Sequence, residues 1–145
     1  MSQTFYDYKR APSPRRARII LAEKNVPHEA VEIDMMKNEQ MSDAYRAINP
    51  NCTIPALQLE DGSILTDNAS IAVYLEEIYP DPPLFGTTAK EKAEIASWQS
   101  QIEMEFLMAG ASALRNVNPA MKDRALPRPE NYAQIPALAE RGMAQ

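Results

Sequence analysis

Residues able to do polar chemistry gather in a few short stretches of this sequence. The first is Lys9-Arg10-Ala11-Pro12-Ser13-Pro14-Arg15-Arg16-Ala17-Arg18. Ser13 before Pro14 reads as a helix start, with Ser13 as N-cap and Pro14 at the first helical position. Arg15, Arg16 and Arg18 then fall in or just beyond the first turn, where the helix dipole disfavours positive charge. That placement is eased if an anion binds there; otherwise they are solvated arginines on an exposed face. The second stretch is Asn49-Pro50-Asn51-Cys52-Thr53-Ile54-Pro55-Ala56-Leu57. Pro55 has no N–H to give a sheet ladder, which suits the first position of a strand. With a cis Ile54–Pro55 bond the chain would turn sharply and Ile54 could offer its N–H and C=O to a ligand. The third, Thr66-Asp67-Asn68-Ala69-Ser70, opens a helix with Asp67 placed to cap it. Further on, Arg115 and Asn116 precede Asn118-Pro119, where a cation suits a helix C-terminus.

Several chemistries are excluded or disfavoured by what is scarce. One histidine, His28, and one cysteine, Cys52, cannot supply the usual ligands of a zinc site, so no metal is expected. A single cysteine allows no internal disulfide, and with no secretory pattern at the amino terminus the expectation is a reducing, cytoplasmic setting. Cys52 sits neither at a helix start nor in a Cys-x-x-Cys pair and reads as a loop residue. The net charge of -5 argues against a nucleic-acid partner. No apolar run approaches the roughly 18 residues of a membrane span.

The elements that would position these groups follow from periodicity. Thr4-Phe5-Tyr6-Asp7-Tyr8 is a β-favouring run in which Tyr6 and Tyr8 share a face. The helix from Ser13 to about Lys24 buries Ala17, Ile20, Leu21 and the stem of Lys24. His28 to Asp34 alternates through Val31 and Ile33, giving a strand–helix–strand unit with parallel strands. Lys37 to Ala47 reads as a short polar helix or irregular turn. Two alternating runs around Asp61-Gly62 form a β-hairpin from Ala56 to Leu65, with both turn residues expected to tolerate positive φ. A helix from about Asn68 to Tyr79 buries Ile71, Leu75 and Ile78, with Tyr74 beside them. Pro80 to Gly86 is a stiff, proline-rich boundary. Thr88-Ala89-Lys90-Glu91 is a capping box opening a long helix that sets Ile95, Trp98, Ile102, Phe106, Ala109 and Ala113 on one face and ends before Asn118-Pro119. Trp98 and Ile102 are expected in a bundle core. Residues 120–134 read as a connection, and a last helix starts near Pro136.

Thr53-Ile54-Pro55-Ala56-Leu57, the Asp-Gly hairpin and Asp67-Asn68-Ala69-Ser70-Ile71-Ala72-Val73-Tyr74-Leu75 together resemble the amino-terminal domain of a cytosolic glutathione S-transferase. The fold class this implies is an α/β thioredoxin-like domain (βαβ-ββα, mixed sheet) over residues 1–79. A linker at 80–87 and part of an all-α carboxy-terminal domain over 88–145 would follow. The helical domain of that family is larger than what remains here, so the chain reads as one cut short.

The resemblance implies that glutathione is the co-substrate. Ile54 and Pro55 would hold its cysteinyl backbone. Asp67 would receive the γ-glutamyl amine, and Asn68 the α-carboxylate through its side chain and N–H. Gln40 and Thr53 would lie near the glycyl end. Ala11 stands where serine-type members carry their hydroxyl, and Pro14 where cysteine-type members carry their thiol. Tyr6 and Tyr8 match the tyrosine of tyrosine-type members but read as strand residues. The opening Tyr6-Asp7, Pro14, Ala17-Arg18-Ile19 and Leu21-Ala22-Glu23-Lys24-Asn25 is similar to a bacterial and yeast branch that lacks the standard residue. In that branch a water held by the second domain assists the thiol, and its ligands would fall at Arg115 and Asn116. The candidate catalytic residues are therefore Ser13, Arg115 and Asn116. The implied function is detoxification-type conjugation of the glutathione thiolate to a small hydrophobic electrophile by a homodimer. A non-catalytic glutathione-binding or regulatory protein of the same fold is the alternative.

Overall fold

The computed structural model describes residues 3–110 and residue 113. Arg115, Asn116, the end of the long helix before Asn118-Pro119 and the helix placed near Pro136 lie outside the described residues. The chain divides into two compact units, residues 1–91 and 92–145.

The first unit contains strands β1 (Gln3–Asp7), β2 (His28–Glu32), β3 (Ala56–Gln58) and β4 (Ile64–Leu65), and helices α1 (Ser13–Glu23), α2 (Asp43–Ile48) and α3 (Asn68–Ile78). The sheet order is β2-β1-β3-β4. β1 and β2 run parallel, Phe5 opposite Ala30, while β3 is antiparallel to both β1 and β4. This is the thioredoxin-like mixed sheet expected from the sequence. Alternation along β1 sends Phe5 to one face and Tyr6 to the other. Phe5 and Leu57 pack with Ala17, Ile20 and Leu21 of α1 and with Ile71 and Leu75 of α3. On the opposite face Tyr6, Ile33, Ile54 and Ala56 pack around Tyr45 of α2, with Tyr8 against them.

Lys24 just beyond α1 is buried to its tip, and its ammonium is fully partnered. It donates to the carbonyls of Tyr79 and Pro82 at 2.6 and 2.9 Å and pairs with Glu76 at 2.7 Å. Burial works against the Glu76 carboxylate, but Lys24 and the N–H groups of Phe85 and Leu84 hold its pKa below the ordinary value. The proline-rich segment after α3 is thereby fastened to the first unit rather than left as a free spacer. Between β2 and α2 two 3₁₀ turns, Met35–Lys37 and Glu39–Met41, fill the stretch read as a polar helix or irregular turn.

Several expectations are corrected. The N-cap of α1 is Pro12, and Ser13 is the first helical residue with no capping hydrogen bond from its side chain. The hairpin turns through three residues, not two: Gly62 N–H donates to Leu59 and Leu59 N–H to Ser63. Gly62, at φ 86°, is the turn residue with positive φ, as in a type I turn closed by a bulge. Ile78 is 52% exposed, because the buried stripe of α3 runs through Ile71, Ala72 and Leu75. Helix α4 (Ala89–Gln101) passes into a π-helical stretch at Ile102–Met108. A π turn takes more residues than an α turn, so the intended stripe is broken. Trp98 and Ile102, expected in a bundle core, are 64% and 51% exposed, as is Phe106 of the same intended face at 74%.

The capping box of α4 is as read. Glu91 accepts from the N–H groups of Thr87 and Thr88 at 2.8 and 3.0 Å, and its own N–H donates to Thr88 Oγ1. These donors, Thr88 foremost, lower the Glu91 pKa from 4.5 to about 2. A depressed folded-state value stabilises fully above the ordinary 4.5 and is lost as the pH falls through about 2. A carboxyl-carbon NMR titration should therefore place the Glu91 midpoint near 2, and a midpoint near 4.5 would show that the box is open in solution.

Candidate functional site

Because β3 runs antiparallel to β1, the end of one strand meets the start of the other, with Tyr6 opposite Ala56. Ile54 and the loop residue Ala11 both pack in the Tyr6–Tyr45 cluster. The β1–β3 pairing begins at Ala56, so Ile54 lies outside the ladder. The Ile54–Pro55 bond is cis. Ile54 and Pro55 are both buried.

The segment before Ile54 is held by α2. Asn49, wholly buried, donates from Nδ2 to the Thr53 carbonyl at 2.7 Å and to Thr53 Oγ1 at 3.1 Å. Its Oδ1 accepts from the N–H of Asn51 at 3.0 Å, which closes an Asx turn around Pro50. Tyr45 adds a second donor to the Thr53 carbonyl at 2.8 Å. Burial pushes the Tyr45 phenol up to about 12, so it remains a donor throughout the neutral range. Cys52 adopts φ 54° in this turn, and its thiol lies 3.6 Å from the Pro50 carbonyl. Gln40 is buried in the second 3₁₀ turn, packed near α2, with its Oε1 unpartnered among the described residues.

The amino-terminal ends of α1 and α3 meet each other. Asn68 Nδ2 donates to the Ser13 carbonyl at 2.9 Å and lies 3.3 Å from Ser13 Oγ. Its side-chain nitrogen is thus spent on Ser13, leaving the Asn68 backbone N–H as the group at the start of α3. Asp67 caps that helix, accepting from the Ser70 N–H at 2.8 Å. That bond, working against a smaller burial effect, lowers the Asp67 pKa and keeps the exposed carboxylate ionised at neutral pH.

Arg18 is not a solvated surface charge. It chelates the buried Asp7 at 2.9 and 3.0 Å and donates to the Lys9 carbonyl at 3.2 Å. This pair fixes the loop that leads from β1 into α1. Two groups in this geometry went unassigned in the sequence reading, Asn49 with Tyr45 and the Asp7–Arg18 pair. Asn-Pro-Asn is a recognisable Asx-turn signal, whereas the pair depends on strand and helix meeting and has no local signature. The structure therefore gathers Ser13, Asp67 and Asn68 at one corner and Thr53, Ile54 and Pro55 in a loop braced by α2. Arg115 and Asn116 are outside the described residues. No group of three His, Cys, Asp or Glu side chains suited to a metal ion occurs among the described residues.

Residues 11–78 match the family described as the glutathione S-transferase N-terminal domain. The crystal structure of Gtt2 from Saccharomyces cerevisiae superposes with a TM-score of 0.75 at 31% identity, over 81% of this chain and 58% of that one. The chain belongs to the glutathione S-transferase family. Among its relatives, glutathione S-transferase Z1 of Arabidopsis thaliana is 34% identical over 112 residues, 77% of this chain and 48% of the relative. A maleylacetoacetate isomerase of Pseudomonas aeruginosa is 36% identical over 90 residues, 61% of this chain and 42% of the relative. The chain thus spans less than half the length of these two curated relatives.

The bracing of the Thr53–Ile54 loop can be measured directly. Asn49→Ala removes that residue's two hydrogen bonds to Thr53 and leaves the Asn51 N–H without its acceptor. It should lower the unfolding free energy by about 1–3 kcal/mol in a denaturant titration. Tyr45→Phe, which removes one donor and keeps the ring, should lose about 0.5–1.5 kcal/mol. An Asn49→Ala variant as stable as the parent would show that the loop is held by other means.

Proposed function

We propose that this protein binds glutathione at the corner formed by the Ile54 loop and the amino-terminal ends of α1 and α3. There it uses the glutathione thiolate against a small electrophile. The observation that carries the reading is the Asn68–Ser13 contact, which brings two helix N-termini together beside an ionised Asp67. Glutathione carries an amine, two carboxylates and a thiol, and the corner offers a complement for each kind of group. Asp67 takes the γ-glutamyl ammonium, and the Asn68 N–H at the start of α3 takes the α-carboxylate. Ile54 meets the cysteinyl backbone, while Gln40 and Thr53 serve the glycyl end. The thiol then lies toward α1, whose positive end favours an anion. A thiol with a pKa of about 8.5 is only a few per cent ionised at neutral pH, so stabilising the thiolate is the catalytic task. Ser13 is the hydroxyl nearest to it in sequence, with Arg115 and Asn116 as further candidates.

The electrophile is small and apolar in this reading, and the relatives favour two outcomes. Glutathione can remain attached as a conjugate, or it can add to a double bond and leave after rotation, as the names of the isomerase relatives suggest. Mass spectrometry of the products separates them: a conjugate gains the mass of glutathione, whereas isomerisation returns it unchanged. The protein is further proposed to be cytoplasmic and to work as a homodimer. In support of a second copy, α3 exposes Val73 and Ile78 along an apolar groove of about 550 Å³. No helix among the described residues is long and apolar enough to cross a membrane.

Asp67 supplies the decisive test. A charge-assisted, partly desolvated hydrogen bond to the glutathione amine is worth roughly 1.5–3 kcal/mol, so Asp67→Ala should weaken binding about tenfold to a hundredfold. Asp67→Asn keeps the cap and loses the charge. It should lose affinity as the Ala variant does while retaining the roughly 1 kcal/mol of stability that the cap contributes. Calorimetric titration with glutathione decides, and an Asn variant with parental affinity sinks the assignment.

A further inference from the structure

We infer that Lys24, just beyond the carboxy-terminal end of α1, is a positioning residue for the glutathione corner at the other end, acting through the register of α1 against α3. The inference rests on the glutathione reading above and extends it to a buried cation far from the ligand.

Lysine is rarely buried whole, yet the Lys24 side chain is fully out of solvent. Its ammonium has three donors, and each has a partner. The carbonyls of Tyr79 and Pro82 accept at 2.6 and 2.9 Å, and Glu76 Oε2 lies at 2.7 Å. The other oxygen of that carboxylate accepts from the N–H groups of Leu84 and Phe85 at 3.0 and 3.1 Å. The cage is therefore built from α3 and the segment after it, while the cation comes from the end of α1. No step of the proposed reaction uses it.

Apolar packing of Ala17, Ile20 and Leu21 against Ile71, Ala72 and Leu75 is non-directional and tolerates a small slide. The cage does not. Moving α1 by one residue carries the ammonium about 1.5 Å along the helix axis, which breaks bonds of this length and strands a charge in the core. One register is permitted. Two helices of 11 residues each carry it over about 16 Å to their other ends. There Asn68 Nδ2 reaches the Ser13 carbonyl at 2.9 Å, a distance the same slide would open beyond hydrogen bonding. Asp67 and the Asn68 N–H would shift with it relative to the start of α1. The spacing of the groups assigned to the γ-glutamyl end is thus set from the opposite end of the helix pair.

The test uses the full chain and reads glutathione affinity by calorimetric titration, with circular dichroism showing that each variant is folded at the titration temperature. Lys24→Ala removes the side chain beyond Cβ and leaves a gap with the shape of n-propylammonium. It should weaken glutathione binding about twofold to thirtyfold, the size of coupling carried by a packed element. Added n-propylammonium should return the affinity toward the parental value, whereas 1-propanol, similar in shape but uncharged, should not. Glu76→Gln keeps an acceptor for Lys24 and loses the charge. It should give a smaller loss of affinity, and it decides alone if Lys24→Ala does not fold. Lys24 and Asn68 lie too far apart to touch, so independent effects on affinity would add. Acting on one register, Lys24→Ala and Asn68→Ala together should cost less than the sum of their separate effects. A merely structural Lys24 would lower the melting temperature and leave the affinity of the folded chain unchanged. Parental affinity in the folded variants, rescue by 1-propanol equal to that by n-propylammonium, or strict additivity would overturn the inference while glutathione binding stands. A parent chain that binds no glutathione would overturn it together with the reading on which it rests.

Discussion

The pairing of α1 with α3 is the constraint on which the rest of the first unit depends, and a polar contact closes it at each end. At the carboxy-terminal end the buried ammonium of Lys24 meets Glu76 and the carbonyls of Tyr79 and Pro82. A charge removed from water this completely is tolerated only with full partnering, so α3 and the proline-rich segment have one permitted position relative to α1. At the amino-terminal end Asn68 binds Ser13. Between the clamps Ala17, Ile20 and Leu21 face Ile71, Ala72 and Leu75 in one core. The hydrophobic contact supplies the driving force but slides easily. The two polar contacts fix the register, and with it the juxtaposition of two helix N-termini at the candidate site.

A second, independent brace acts from the opposite face of the sheet. Asn49 and Tyr45 of the α2 region converge on the carbonyl of Thr53. Their donors reach a backbone group that sheet pairing does not use, because the β1–β3 ladder starts only at Ala56. Ile54 is therefore held by the bracing of Thr53 and by its packing in the cluster with Tyr6 and Tyr45, not by ladder hydrogen bonds. The loop joining β1 to α1 is fastened in the same spirit by Arg18, whose guanidinium spans Asp7 and the Lys9 carbonyl. Hydrogen-bonded side chains thus brace the loops of the site, while the groups left for a ligand are backbone atoms, one carboxylate and one hydroxyl.

The apolar surface tells a different story in each unit. On α3 the exposed Val73 lies on the face away from the buried stripe and Ile78 at the stripe's carboxy-terminal end, both next to Tyr74 and Glu77. On α4 and the π-helical stretch that follows, Trp98, Met104 and Phe106 are exposed. Isolated apolar side chains on a surface need no explanation, but grouped ones do.

Local sequence determined what depends on near neighbours. Phe5 and Tyr6 alternate, Ala17, Ile20 and Leu21 recur at helical spacing, Asp67 caps α3 and Thr88 with Glu91 boxes α4, all because periodicity and capping act within a turn or two. The thioredoxin-like order of elements was legible for the same reason, and the family followed from motifs in sequence order. Tertiary structure decided what distance along the chain conceals. Ser13 was read as a cap, because serine before proline is one locally; across the fold, Asn68 claims it 55 residues away. Arg18 was read as either an anion-binding or a solvated charge, because no local pattern reveals that β1 delivers a buried Asp7 to it. Ile78 kept the right spacing yet stayed exposed, because burial depends on what lies opposite a face and not on the face alone. The hairpin's third turn residue and the π-helical stretch escaped for a related reason: a single added residue leaves composition unchanged and alters geometry, which only the folded backbone records.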